Sequence, residues 1–243
     1  MTLLGVDGVV KRFGGVVALD GVTMEVRDDE ILGLVGPNGS GKSTLINILS
    51  GFYPADTGVV MFEDEDVTAA PAHRIAAMGI ARTYQIPRPF DTMTPRENIA
   101  VSYMFGHERH SLAQARDSAQ EWLQFTGLAD VADLDIGELT LHQLKFLELA
   151  RALATQPSLL LLDEVLAGLN PSEINQSIEM IQKIHSRGIT ILIVEHVVRA
   201  VMALSDRLVV LDQGRVISEG DPEEVMSDPA VVTAYLGDRS RRA

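Results

Sequence analysis

Residues Gly36–Thr44 read GPNGSGKST, and glycines at that spacing ahead of a lysine and two hydroxyls suit the holding of a polyphosphate. Gly36, Gly39 and Gly41 let successive backbone N–H groups turn onto an anion, with Pro37, Asn38 and Ser40 completing the loop. Lys42 brings a point charge to the outer phosphates, and Ser43, followed by Thr44, offers a hydroxyl to Mg²⁺. The helix expected to follow adds the positive end of its dipole.

A second cluster lies in LLLLDE, Leu159–Glu164, an apolar strand that ends in carboxylates. Asp163 is the candidate second anchor for Mg²⁺ opposite the phosphates. Glu164 lies beyond the strand end, where it could take a proton from water attacking the terminal phosphate. Read alone, LLLLDE equally suits a solvated acidic turn; the phosphate loop is what favours the chemical reading. Lys42 and Asp163 are 121 positions apart (163 − 42), so something is inserted between them.

Gln85, in ARTYQIPRPF, stands where the core passes into that insert and could touch Mg²⁺ or the attacking water. His196 closes TILIVEH as Asp163 closes its own strand, facing the same crevice and able to bridge to the γ-phosphate; a purely structural histidine is the alternative. Phe13 lies 23 residues ahead of Gly36 and offers a ring to an adenine base, with Val17 and Ala18 completing the apolar face; ordinary core contact is its alternative. The remaining histidines, His73, His107, His110, His142 and His185, lack zinc-ligand spacing.

These residues need a scaffold that brings strand ends together. ILGLVG before the phosphate loop, SLLLLDE and TILIVEH are apolar throughout and separated by helical stretches, which predicts a mainly parallel α/β sheet covered on both faces. Residues 3 to 35 and 58 to 66 contain short β-like pieces compatible with an antiparallel flap. From Ile86 to Pro157 helix formers dominate, in RENIAVSYMF, LAQARDSAQEWLQFTGL and TLHQLKFLELARALAT. We therefore expect a core of 1–86 and 156–243 with the flap, and an inserted helical subdomain of 87–155. A GR turn, a short strand and a helix ending near Leu236 should close the chain, with SRRA as a frayed tail.

Composition narrows the function. With 243 residues, 46% hydrophobic, the chain can bury a substantial core. Its 34 acidic residues against 20 basic ones give a formal charge of −14, and no long Lys/Arg block offers a phosphate-backbone stripe, so nucleic acid is a poor partner. Apolar runs fall short of the roughly 18 residues that a membrane span requires. Cysteine is absent and MTLLGVDGVVKRF has no secretory pattern, so a cytosolic home is expected.

In this fixed order the residues closely resemble the nucleotide-binding subunits of ABC transporters over essentially the whole length. Gly36–Thr44 resembles the Walker A loop, Leu159–Asp163 the Walker B strand, Glu164 the catalytic carboxylate, Gln85 the Q-loop, His196 the switch histidine and Phe13 the A-loop aromatic. GIARTYQIPRPF, ELARALATQPSLLLLDE, AGLNP, RLVVLDQGRVISEGDPEEV and AYLG resemble the LivG-type ATPases of branched-chain amino-acid importers. The resemblance implies a P-loop NTPase core, ATP and Mg²⁺ as cofactors and ATP hydrolysis powering import at the cytoplasmic face of the membrane. It also implies a second ABC ATPase subunit as partner, identical or not, and integral permease subunits. Relatives of this group also serve urea and short amides.

One departure stands out. Where the family carries LSGGQ, or the LivG-like LxYGQQRR, Leu139–Phe146 reads LTLHQLKF. Thr140 keeps a hydroxyl and Gln143 the glutamine, but Leu141 and His142 replace small positions that the partner's γ-phosphate approaches. Their bulk should obstruct that approach, unless His142 itself donates to phosphate. Val165 and Val197 replace the proline and aspartate that commonly follow the catalytic Glu and switch His. A nucleotide-driven dimerisation module with little turnover is the alternative, and the intact Glu164 and His196 argue against it.

Overall fold

The computed structural model describes residues 1–106 and 110–236; His107 and the SRRA tail lie outside them. In chain order the elements are β1 (Thr2–Phe13), β2 (Val16–Arg27), β3 (Ile31–Val35), α1 (Lys42–Leu49), β4 (Thr57–Phe62), β5 (Glu65–Asp66), α2 (Ala72–Ala77) and β6 (Ile80–Arg82). There follow α3 (Pro95–Met104), α4 (Leu112–Phe125), α5 (Leu141–Ala154), β7 (Leu159–Asp163), α6 (Pro171–His185), β8 (Thr190–Val194), α7 (Val198–Leu204), β9 (Arg207–Asp212), β10 (Arg215–Gly220), α8 (Pro222–Ser227) and α9 (Pro229–Leu236). The chain divides into two compact units, Met1–Ala72 with the chain from Thr190 on, and His73–Ile189.

In the first unit, β2, β1, β4 and β5 lie side by side in that order, antiparallel. Glu63 and Asp64 both take positive φ (48° and 64°), as a tight hairpin with the strands' own twist requires. The flap strands are longer than the sequence suggests: β1 and β2 each run 12 residues. Their register shifts at Thr2/Leu4, Val6/Val9, Val9/Val10 and Lys11/Arg12, and each shift interrupts the alternation that would mark one long strand. The same unit places β3 between β8 and β9, parallel to both, with β10 antiparallel to β9. Every residue of β3 and β8 is buried, which is why both read as unbroken apolar runs.

The second unit holds β6 and β7 as a parallel pair, together with α3 to α6. Its helix starts are written locally. Thr94 with Glu97, Ser111 with Gln114, Thr140 with Gln143 and Asn170 with Glu173 each form a reciprocal capping box, and proline opens α3 and α6. Among the described residues no helix is long and apolar enough to cross a membrane.

Candidate functional site

The first unit contributes the glycine loop. It leaves the C-terminal end of β3, and Gly41 caps α1 in a left-handed conformation (φ 112°) with no side-chain cap, unlike the capped starts of α3 to α6. The N–H groups of that first turn are the ones that a phosphate can take. Two glycines are sterically obligatory. A Cβ on Gly36 would come 2.0 Å from the Leu211 carbonyl oxygen, and one on Gly41 would come 2.6 Å from that of Ala18. Lys42 is buried, and its ammonium donates to the carbonyls of Gly36 (2.8 Å) and Pro37 (3.0 Å), while Ser43 is exposed at the second position of α1. Ser40 is buried, Asn38 and Gly39 exposed, and Pro37 and Thr44 half-buried.

Supports for this loop come from residues that the sequence did not single out. Burial pushes the Tyr235 phenol on α9 up, and the Gly36 N–H pulls it back. Gly214 N–H donates to the Ser40 carbonyl (2.8 Å) and Asp20 N–H to the Gly214 carbonyl (2.8 Å), so the GR turn ties the loop to β2. A Cβ on Gly214 would meet the Ala18 oxygen at 2.9 Å, which explains the glycine. Phe13 and Val17, at the turn end of the β1–β2 hairpin, are 42% and 43% exposed and leave an apolar face open; Ala18 is half-buried beside them. Phe13 meets Tyr53 edge-on, ring centroids 5.3 Å apart. His196 lies two residues past the end of β8, not at it, in the bend before α7; it is exposed, and its N–H donates to the buried Glu195 carboxylate (3.3 Å).

The second unit contributes the acidic strand end. Asp163 is the last residue of β7, is buried, and pairs with the Arg82 guanidinium of β6 at 2.8 Å. Glu164 turns left-handed (φ 51°), a conformation costing a non-glycine residue about 1–3 kcal/mol and found where surroundings over-determine it. Those surroundings are visible: Lys145 of α5 donates to the Glu164 carbonyl (3.2 Å), and Gln85 donates its side-chain amide to the Glu164 carboxylate (2.5 Å). Glu164, read from sequence as the proton acceptor, and Gln85, read as a contact of Mg²⁺ or the attacking water, are 79 positions apart and in direct contact. Among the described residues no group of three or more His, Asp or Glu side chains gathers as a metal cluster.

The LTLHQ stretch forms the start of α5. Thr140 Oγ1 accepts the Gln143 N–H (3.2 Å) and Gln143 Oε1 accepts the Thr140 N–H (2.8 Å), so both retained residues are spent on the cap. Leu141 is 44% exposed. His142 lies against Phe146 with centroids 4.2 Å apart, and its Nε2 is buried without a hydrogen-bond partner among the described residues. Burial holds this imidazole below its ordinary range, with Glu173 pulling it back.

The folded state therefore binds fewer protons at His142 than the unfolded state does. Its contribution to stability is present above the unfolded value of about 6.5 and is lost as pH falls below it. Urea midpoints at about pH 7.5 and about pH 5.5 should show a smaller acid-side drop in His142→Gln than in the parent. Equal drops would remove His142 as the source.

Set beside known proteins, the chain matches the ABC transporter family model over residues 19–167. A model described as branched-chain amino acid ATP-binding cassette transporter matches residues 215–240. The high-affinity branched-chain amino acid transport ATP-binding protein BraF of Pseudomonas aeruginosa is 37% identical over 250 residues, spanning 97% of this chain and 98% of that one. LivG of Escherichia coli, with the same description, is 38% identical over 253 residues, again 97% and 98%. Among solved structures, an ABC-transporter ATP-binding cassette in its ADP conformation has a TM-score of 0.87 at 35% identity, covering 98% of this chain and 100% of that one.

Proposed function

The chain belongs to the ABC transporter family, and from that premise we propose that it is the ATP-binding, ATP-hydrolysing subunit of an importer of branched-chain or other hydrophobic amino acids. The observation that carries the cargo is the near-full-length likeness to BraF and LivG, reinforced by the match at residues 215–240. The fold is the family's α/β P-loop cassette, with a mainly parallel sheet and an antiparallel flap.

Roles are proposed residue by residue. Phe13, Val17 and Ala18 hold the base and ribose, and Gly36–Thr44 hold the phosphates, with Lys42 at the outer ones. Ser43, Asp163 and Gln85 would hold Mg²⁺, which would supply neutralisation of the phosphate charge. Glu164 orients and deprotonates water, and His196 holds the terminal phosphate. Residues 1–86 and 156–243 form the ATP-binding core and 87–155 the helical signature subdomain, with 85–150 the stretch that touches the permease at the cytoplasmic side of the membrane. In support of a docking face, that stretch carries a groove of about 820 Å³ lined by Met93, Ala100, Val101, Met104 and Leu112 with Arg96 and Arg116. A second ABC ATPase subunit completes each nucleotide site with its own signature.

LTLHQ, with its retained hydroxyl and glutamine both turned to capping, favours a second reading in which this chain's own signature supports little hydrolysis. Vesicles reconstituted with the chain, its partner ATPase, its permease and the binding protein should accumulate labelled leucine only with ATP. Accumulation of urea or a short amide in place of leucine would reassign the cargo. ATP binding with no uptake of any of these would favour the second reading.

A further inference from the structure

Glu148 lies in the body of α5 with 6% of its surface exposed. A carboxylate that deep needs partners, and both of its oxygens find them in the backbone of one loop. Oε2 accepts the Tyr84 N–H (2.9 Å) and Oε1 accepts the Arg88 N–H (2.8 Å). A single side chain thus closes a clasp across the loop containing Gln85. One turn further along, Arg151 donates to the Arg88 carbonyl (2.7 Å) and lies over the Phe90 ring (4.8 Å). One turn back, Lys145 holds the carbonyl of Glu164, the residue that Gln85 contacts. The stride 145, 148, 151 keeps these side chains on adjacent turns of one helix. The helix therefore grips both partners of the Gln85–Glu164 contact, and its first turn is LTLHQ.

We propose that Glu148 is a positioning residue for ATP hydrolysis: through the amides of Tyr84 and Arg88 it fixes Gln85 against Glu164 and links that contact to the helix bearing LTLHQ. A side chain with one acceptor and one donor end cannot serve both amides, so Glu148→Gln strips an acceptor from Tyr84 or Arg88 with almost no change in shape. The proposal rests on the reading of Gln85 and Glu164 as working residues of the ATPase.

In the assembled transporter, Glu148→Gln should lower kcat about fivefold and leave KM for ATP within about twofold, the split expected when a group is misplaced and not lost. Amide exchange across residues 84–88 should quicken about tenfold, the loss of one charge-assisted bond, while the melting temperature changes little. Unchanged exchange, unchanged kcat, or a KM rise matching the kcat loss would each overturn the proposal. If the variant does not fold, Arg151→Lys tests the clasp from the Arg88 carbonyl, with the same kcat loss expected and an unchanged kcat counting against it. Gln85→Ala separates the two claims. Full turnover in Gln85→Ala would defeat the reading of Gln85 itself; a loss there beside a neutral Glu148→Gln would defeat the positioning role alone.

Discussion

Glu164→Gln should lose turnover by about a hundredfold or more while still binding ATP, the range set by removing a positioned general base. Glutamine has nearly the same shape and keeps a carbonyl oxygen to accept from the Gln85 amide, so the 2.5 Å contact can persist. The left-handed backbone at Glu164 is held by Lys145 through the main-chain carbonyl, which the substitution does not touch. The phosphate loop has its own support, with Lys42 seated on the carbonyls of Gly36 and Pro37. Geometry and ground-state binding thus survive, and only proton acceptance is removed. The loss should appear in kcat and not in KM. Single-turnover hydrolysis beside fluorescent-nucleotide binding checks it. Turnover within threefold of the parent would place the base elsewhere and leave Glu164 a structural residue of the turn.

The sequence names Gln85 and Glu164 separately but not their contact, and that difference has a physical origin. Phosphate-loop glycines, capping boxes and fully buried strands are local devices: Gly36 is required by φ and by one nearby carbonyl, and Thr94-x-x-Glu97 is read within one turn. Such features are visible in a few consecutive residues. The supports of the site are different. Arg82 reaches Asp163 across 81 positions, and Glu148 reaches Tyr84 and Arg88 across 64 and 60. Nothing near Glu148 in the sequence separates its buried carboxylate from one on a solvated helix face. β6 is only 3 residues long, too short for a period, and is identified only by its pairing with β7. His196 shows a smaller displacement: β8 stops at Val194, so the histidine belongs to the bend before α7, a helix whose N-cap Val197 makes no side-chain cap bond.

Restoring Ser-Gly-Gly at Thr140, Leu141 and His142 should raise ATP turnover of the chain acting with a second copy of itself about tenfold, at some loss of stability. The gain follows from what occupies the first turn of α5. Its N–H groups have no partners within the helix, and the capping box already takes that of Gln143. A phosphate held by the opposite subunit must therefore use Leu141 and His142, where an isobutyl group and an imidazole now stand. Glycine clears the approach, and the donation of roughly one anion-directed N–H bond, about 1.5–3 kcal/mol, is worth a tenfold change or more. The loss also has a source. The His142–Phe146 contact disappears, and each glycine in a helix costs about 0.5–1 kcal/mol. Serine replaces threonine as cap with little effect, because the capping hydroxyl is retained. Adding Glu164→Gln to the restored chain must return turnover to baseline, which ties any gain to the Walker site and not to a contaminant. No gain in the restored chain would mean that LTLHQ is a working signature whose donor is the His142 ring. In that case His142→Gly alone should be slower than the parent.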